Sequence, residues 1–533
     1  MKWIFGRSLI NNYICIYLLK TNKKMKKQNF IQKIILLGFL TLLIGSTYAK
    51  TYYVSLKGNN TNSGLTKVKS WRTLTYAAGS TSPVIEGDTV FVEAGNYGAE
   101  FVIFNKNGTP TKPIVFQGYK VIPNDQPVLN YVLGKTLDST LMPLYNGGNR
   151  ANGKIGFNLI DKSYIILNNF QITNYKYGVT TGAGHHLTLN NINTMFTGDI
   201  NASYNGNGIQ LGMTGTSFSN YNSITNCLVV NSAAEGISVN GDNNVITNNK
   251  VYCNEGIMGS GNNAATDYYI LINGNFNSIT NCYTERVGNL SHYGHGIGFK
   301  YNSSVNTVIK CKSVNMSEDF YVRHRGAKYN KFINCVGIRG SGFVVRDGAS
   351  NNTFESCVSD STSSGIRFCD TSEDGGAQYA GRKNIFKNCI IKNSPYGIYF
   401  DSYDQISRVD SNFIVNCNFN KINFLFRSNK ENVYNLIINC IFTNIKNLST
   451  GSYPVSVKYI KSVFYLNGFM MPIGSGNFSS NPLFLDMGSS DFHLQSSSPC
   501  INYGAKLPYV NTDFDGIIRP QGSSLDIGAF EYH

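Results

Sequence analysis

Five short runs in the second half of the chain can be laid under one another, and their fourth positions carry residues suited to acid–base and anion chemistry. The runs are Ile297-Gly298-Phe299-Lys300, Phe320-Tyr321-Val322-Arg323, Phe343-Val344-Val345-Arg346, Ile366-Arg367-Phe368-Cys369 and Ile398-Tyr399-Phe400-Asp401. First and third positions are apolar throughout, so in extended strands they face a core, and second and fourth positions face solvent. Lys300, Arg323 and Arg346 then form a cationic column with about 5 Å between rungs, with Tyr321 and Arg367 beside it.

Such a column repels itself unless an anion lies across it. An acidic polysaccharide repeats carboxylates or sulfates along an extended chain, and arginine can take each group bidentately. Eliminative cleavage of a uronic acid polymer needs its carboxylate neutralised, a base for the neighbouring C–H and an acid for the leaving oxygen. Lys300 as base, with Arg323 as neutraliser or proton donor and His324 next to it, supplies those parts. A lysine so close to arginines is expected to have a lowered pKa. The competing reading is a plain ladder of surface charges, in which Asp319, Asp347, Asp370 or Glu373 pair with the arginines.

Hydrolysis is the other chemistry these residues allow, and it needs two carboxyls roughly 5 to 10 Å apart. Asp347 and Asp370 follow equivalent strands on adjacent rungs, with Glu373, Asp374 and Asp401 nearby. Gly294-His295-Gly296 is similar to the Gly-His-Gly of polygalacturonases, whose paired upstream aspartates are missing here, with only Asp267 in the neighbourhood. His295 is read as a turn residue or a catalytic one, and it stands among the candidate sugar contacts. His292, His324 and Arg325 join the candidate sugar contacts, as do Tyr321, Arg346, Arg367, Glu373 and Asp401. The stretch 369–382 lengthens one coil, and an insertion on one rung usually overhangs a binding face.

The elements that position these residues repeat. Asn-x-x-x-x-Cys recurs at Asn222, Asn277, Asn306, Asn330, Asn352, Asn384, Asn412 and Asn435. Between Asn and Cys lie runs such as Ser-Ile-Thr and Lys-Phe-Ile, too short for helices and bounded by turn residues. A strand repeat at this spacing without a crossover helix predicts an all-β, right-handed parallel β-helix. Asn tolerates left-handed backbone and bonds its own chain, so a stacked Asn column marks one corner of every coil. The cysteines read as small buried hydrophobes rather than as disulfides or metal ligands, which need paired spacing.

Two terminal modules flank the coil and read as caps over exposed strand edges. The first includes Tyr52-Tyr53-Val54-Ser55, Trp71-Arg72-Thr73-Leu74 and Gly87-Asp88-Thr89-Val90-Phe91-Val92. The second includes Asn481-Pro482-Leu483-Phe484, Asp491-Phe492-His493-Leu494 and Asp526-Ile527-Gly528-Ala529-Phe530-Glu531-Tyr532. With the repeats, the chain resembles secreted right-handed parallel β-helix proteins that act on polysaccharides, of the pectate lyase and chondroitinase kinds. Its site is similar to that of the alginate lyase and chondroitinase B family, where a Lys on one rung and an Arg followed by His on the next form the site. Lys300 and Arg323-His324 stand in comparable places, although here the Lys follows Gly-Phe rather than Asn. Calcium often neutralises substrate in that family. The resemblance leaves it open as a cofactor, with Glu373 and Asp374 as candidate ligands and no cluster of acids elsewhere.

The formal net charge is +15. Eight of the basic residues, and no acid, fall in 1–49, which leaves +7 for the remainder. Lys23, Lys24, Lys26 and Lys27 precede an apolar run from Ile34 to Ile44 that is too short to span a bilayer comfortably, so 1–49 reads as a signal peptide with an upstream extension. Export and the modest remaining charge argue against nucleic acid. The expected organisation is 1–49 targeting segment, 50–130 N-terminal cap and first rungs, 131–450 repeats with the active face, and 451–533 C-terminal cap. The expected protein is a secreted or periplasmic monomer without a membrane span, an endo-acting enzyme that cleaves an acidic polysaccharide by β-elimination. Glycoside hydrolysis of a fucan, carrageenan or pectin by an Asp/Glu pair is the alternative, and a non-catalytic carbohydrate-binding or adhesin solenoid the second.

Overall fold

The structure, a computed structural model, describes residues 49–150, 153–199, 206–213, 215–255, 265–288, 294–371, 379–401 and 408–533. The targeting segment therefore lies outside the described residues apart from its last residue, as do His292, Glu373 and Asp374. Among the described residues, no helix is long and apolar enough to cross a membrane.

Among the described residues, thirty-nine strands join one sheet system whose pairings are all parallel, which is the parallel β-helix expected from the repeat. Each coil contributes three strands to three faces. One coil runs His295–Phe299, Thr307–Ile309 and Lys312–Val314, and the next runs Glu318–Arg323, Lys331–Ile333 and Val336–Ile338, each strand pairing with its counterpart. The runs between Asn and Cys are thus the middle strands.

The Asn column is a hydrogen-bonded ladder. The Oδ1 atom of each ladder residue accepts from the backbone N–H of the previous one, from Asn222 through Asn244, Asn277, Asn306, Asn330, Asn352, Asn384 and Asn412 to Asn435. Asn244 opens a coil that the pattern hides, because Asn249 stands where the others have Cys and accepts from the Cys227 N–H. The left-handed corner falls one residue before the ladder, at residues such as Tyr221, Phe276, Val305 and Tyr329, rather than on the Asn itself. A second left-handed corner precedes each cysteine, at Asn226, Asn281, Asn334 or Asn388.

The interior is filled by stacked columns. Phe332, Phe354 and Phe386 lie face to face with ring centroids 4.7 and 4.5 Å apart, so each adds ring packing to its burial. The repeat cysteines are buried free thiols, as expected of small hydrophobes. Their sulfurs point at the carbonyl two residues earlier, as Cys335 does at Ile333.

In the N-terminal module, Trp71 stacks on Tyr52 and joins the main core with Leu74 of the short helix Leu74–Ala78. The C-terminal segment lies along the flank of the coil. Asn388, Asn416 and Asn439, from successive coils, donate through Nδ2 to the carbonyls of Thr512, Asp526 and Ala505.

Candidate active site

The column read from the sequence exists in the expected register. Phe299 pairs with Val322, which sets Lys300 beside Arg323, and Arg323 pairs with Arg346 and Arg346 with Cys369. It is not a bare solvent-facing column. Lys300 is 9 %, Arg346 7 % and Arg323 2 % exposed, and carboxylates are built in among them.

Two consecutive inward residues on each of these coils, Tyr269-Ile270 and Asp319-Phe320, interrupt the strand alternation. Tyr268, His295 and Glu318, which pair with one another across neighbouring strands, thereby come onto the same face as the column. The Tyr268 hydroxyl accepts from Lys300 Nζ at 2.9 Å and from Arg323 Nη1 at 3.0 Å. Its ring stacks on His295 at 4.7 Å. His295 Nδ1 lies 2.9 Å from Glu318 Oε2, and its Nε2 lies 3.6 Å from Asp267 Oδ1. Glu318 Oε1 meets Arg346 Nη1 at 2.5 Å. Asp347 Oδ2 closes the ring, 3.0 Å from Arg346 Nε and 3.3 Å from Arg323 Nε.

This arrangement corrects the idea that an external anion must relieve the column, since Glu318 and Asp347 already do so. The plain ladder of paired charges is thus partly realised, with different partners. Asp347 pairs as suggested, whereas Asp319 turns inward and accepts from the Gly342 N–H at 2.9 Å.

The electrostatics follow from burial. Desolvation, with Arg323 second, lowers Lys300 to about 8. Proximity to arginine is therefore the lesser cause. Burial raises Tyr268, Asp267 and Glu235, which pairs with Tyr268 from the preceding coil, and so favours their protonated forms. Burial also opposes the charge on Glu318, yet Arg346 and then His295 hold it well below the usual carboxylate range. His324 is lowered to about 4 by burial and by Arg323. Its Nδ1 accepts from the Tyr301 N–H at 3.0 Å and its ring stacks on Tyr301, so it braces the corner after Lys300 as a neutral ring.

The remaining sequence candidates separate. Tyr321 is fully buried, its ring lying over Gly298, where a Cβ would come within 2.6 Å of it. As it stands, Tyr321 packs rather than presenting a sugar contact. Asp347 and Asp370, the expected open hydrolytic pair, are both fully buried. Asp347 is also committed on its other oxygen, which accepts from Thr371 N at 2.7 Å and Oγ1 at 2.9 Å. Arg325 is exposed. Arg367 Nε reaches Asp401 Oδ2 at 2.9 Å, further along the same face. Among the described residues no group of three or more His, Cys, Asp or Glu converges to hold a metal ion, and the candidate calcium ligands Glu373 and Asp374 lie outside those residues.

Tyr268 and Glu318 were missed by the sequence reading. Their signal is weak: each stands just before a residue pair that breaks the alternation.

No family model matches this chain, and no curated protein sequence matches it. Solved structures do. A family 6 polysaccharide lyase from Pseudopedobacter saltans is similar at 12% identity, with a TM-score of 0.43 over 86% of this chain and 97% of that one. The family 6 alginate lyase AlyGC is similar at 12% identity, with a TM-score of 0.48 over 84% of this chain and 55% of that one. The pectate lyase Pel9A is similar at 13% identity, with a TM-score of 0.33 over 92% of this chain and 98% of that one. At these identities the likeness is one of fold.

Proposed function

We propose that this chain is an exported enzyme that cleaves an acidic polysaccharide by β-elimination, with Lys300 as base and Tyr268 as acid. The observation that carries the reading is the contact between those two groups on one face, with Lys300 tuned to about 8. A base of that pKa has a usable neutral fraction near neutral pH. The Tyr268 oxygen accepts from two cations, which occupies its lone pairs and leaves its own proton to donate elsewhere.

The step balances with these groups. Neutral Lys300 takes the proton from the carbon α to the uronate carboxylate. The C–H electron pair becomes the new carbon–carbon double bond, and the bond from the β carbon to the glycosidic oxygen breaks. The departing oxygen takes the Tyr268 proton, and proton transfer from the Lys300 ammonium to the phenolate restores both groups. Base and acid lie within hydrogen-bond distance, so both protons move on the same side of the sugar.

Arg323 is too enclosed to be the expected direct neutraliser. It is a positioning residue that orients the Tyr268 hydroxyl and helps depress Lys300. Hydrolysis is the second reading, favoured by the raised carboxyls of Asp267 and Glu235, since a glycosidase acid must be protonated at working pH.

The test incubates the purified protein with alginate, pectate, chondroitin sulfate, ulvan, carrageenan and fucoidan, following reducing ends and absorbance near 235 nm. Reducing ends with rising absorbance support elimination. Reducing ends alone support hydrolysis, and silence in both favours a binding solenoid.

A further inference from the structure

Further along the same face lies a second polar cleft of about 340 Å³, lined by Ser364, Arg367, Tyr396, Tyr399, Asp401 and Arg427. Its residues continue the rows that carry the first site. Tyr321 pairs with Val344, Val344 with Arg367, Arg367 with Tyr399 and Tyr399 with Arg427, so the row that passes through Gly298 reaches two arginines flanking a tyrosine before it continues to Thr450.

The two arginines are held differently. Arg367 is engaged by Asp401 and lies 5.6 Å from the centre of the Tyr399 ring. Arg427 rests on two rings, 4.7 Å from the centre of Tyr399 and 5.1 Å from that of Tyr396. No carboxylate among the described residues forms an ion pair with Arg427. A guanidinium laid on aromatic faces keeps its planar fork oriented and its N–H edge available, which is the arrangement for bidentate capture of a carboxylate or sulfate. The exposed parts of Tyr396 and Tyr399 offer apolar surface to a sugar ring beside that anion.

We infer that this cleft is an anionic-sugar subsite, in which Arg427 takes the carboxylate or sulfate of a residue several units along the chain from the bond cleaved at Lys300. The inference rests on the acidic-polysaccharide reading but not on elimination. Arg427 stands five strands beyond Lys300, about 24 Å along the coil at the usual strand spacing. Only an extended chain of several sugar units reaches both places. The subsite therefore makes the enzyme length-dependent and favours polymer over short fragments. It also gives binding energy remote from the reacting bond.

The test measures binding without turnover. Calorimetry on the Lys300→Ala variant uses oligogalacturonates, oligomannuronates and sulfated fucan oligosaccharides of two to eight residues. Affinity is expected to rise with length until the ligand spans the interval. Adding Arg427→Gln should then weaken the longest bound ligand by about tenfold, the loss of one charge-assisted contact. The shortest ligand should be unaffected. Arg427→Lys should recover part of the loss, which a merely structural role would not predict. Equal affinity of the longest ligand for Lys300→Ala with and without Arg427→Gln would overturn the subsite while leaving the acidic-polysaccharide reading standing. Absence of binding by every acidic oligosaccharide would overturn both.

Discussion

Lys300 donates to Tyr268 across 2.9 Å, and its ammonium lies 4.1 Å from the centre of the same ring. The pair joins a titratable amine to a phenol whose hydroxyl is fixed from a second side by Arg323. Neither group could be placed so by its own strand, since they stand on adjacent coils.

The first prediction concerns pH. Lys300 must lose its proton to act, so kcat/KM should rise about tenfold per pH unit below 8 and level off above it. A pH–rate profile flat from 6 to 9 would exclude Lys300 as base. The same depressed pKa has a stability consequence with a definite sign. The folded state sheds this proton near 8 and the unfolded state near 10.5, so between those values the unfolded chain binds more protons and stability rises with pH. Buried thiols such as Cys227 and Cys369, raised above 9, give both proteins an opposing slope, so the stability of wild type relative to Lys300→Met should rise with pH across that range.

Tyr268→Phe keeps the ring and its stacking on His295 but removes the proton donor. The expected loss in kcat is on the order of 10² to 10³. The variant also strips Lys300 and Arg323 of a shared acceptor, which should lower stability by about 1 to 3 kcal/mol. Steady-state kinetics and urea unfolding measure the two effects separately.

Glu318→Gln tests the buried ion network. Arg346 would keep Asp347, which it shares with Arg323, but lose the carboxylate at 2.5 Å, and the excess positive charge left in so enclosed a place should destabilise the protein by about 3 to 5 kcal/mol. Because Glu318 is held well below its ordinary range, its contribution is fully present above the unfolded carboxylate value and fades as pH falls toward the folded one. Wild type should therefore lose more stability on acidification than the variant.

Asn330→Ala removes one step of the ladder. The Asn306 N–H loses its acceptor and the Ser303 carbonyl its side-chain donor, both in buried surroundings. A loss of about 2 kcal/mol or more in thermal or chemical unfolding is expected, with no direct effect on the chemistry of Lys300.

Much of this fold can be read from residue spacing because each coil repeats the same constraints. The Asn-x-x-x-x-Cys copies locate the middle strands, and the apolar first and third positions put Lys300, Arg323 and Arg346 in true register. The coil of Asn244 and Asn249 escaped because one amide replaced a thiol. Tyr268 and Glu318 escaped because alternation skips a position at Tyr269-Ile270 and Asp319-Phe320, moving them onto a face that period-two counting denies them. The enclosure of the column is a tertiary property. Strand alternation tells which side a residue takes, and nothing about what then lies against it.

The most direct test of the central claim is the mass balance of a single cleavage. A uronate oligosaccharide of defined length is incubated with the enzyme, and both fragments are weighed by mass spectrometry. Elimination by Lys300 and Tyr268 predicts that the fragment masses sum to the mass of the substrate, with the unsaturated fragment lighter than its saturated counterpart by one water. Fragments that together gain one water would show hydrolysis and contradict the account.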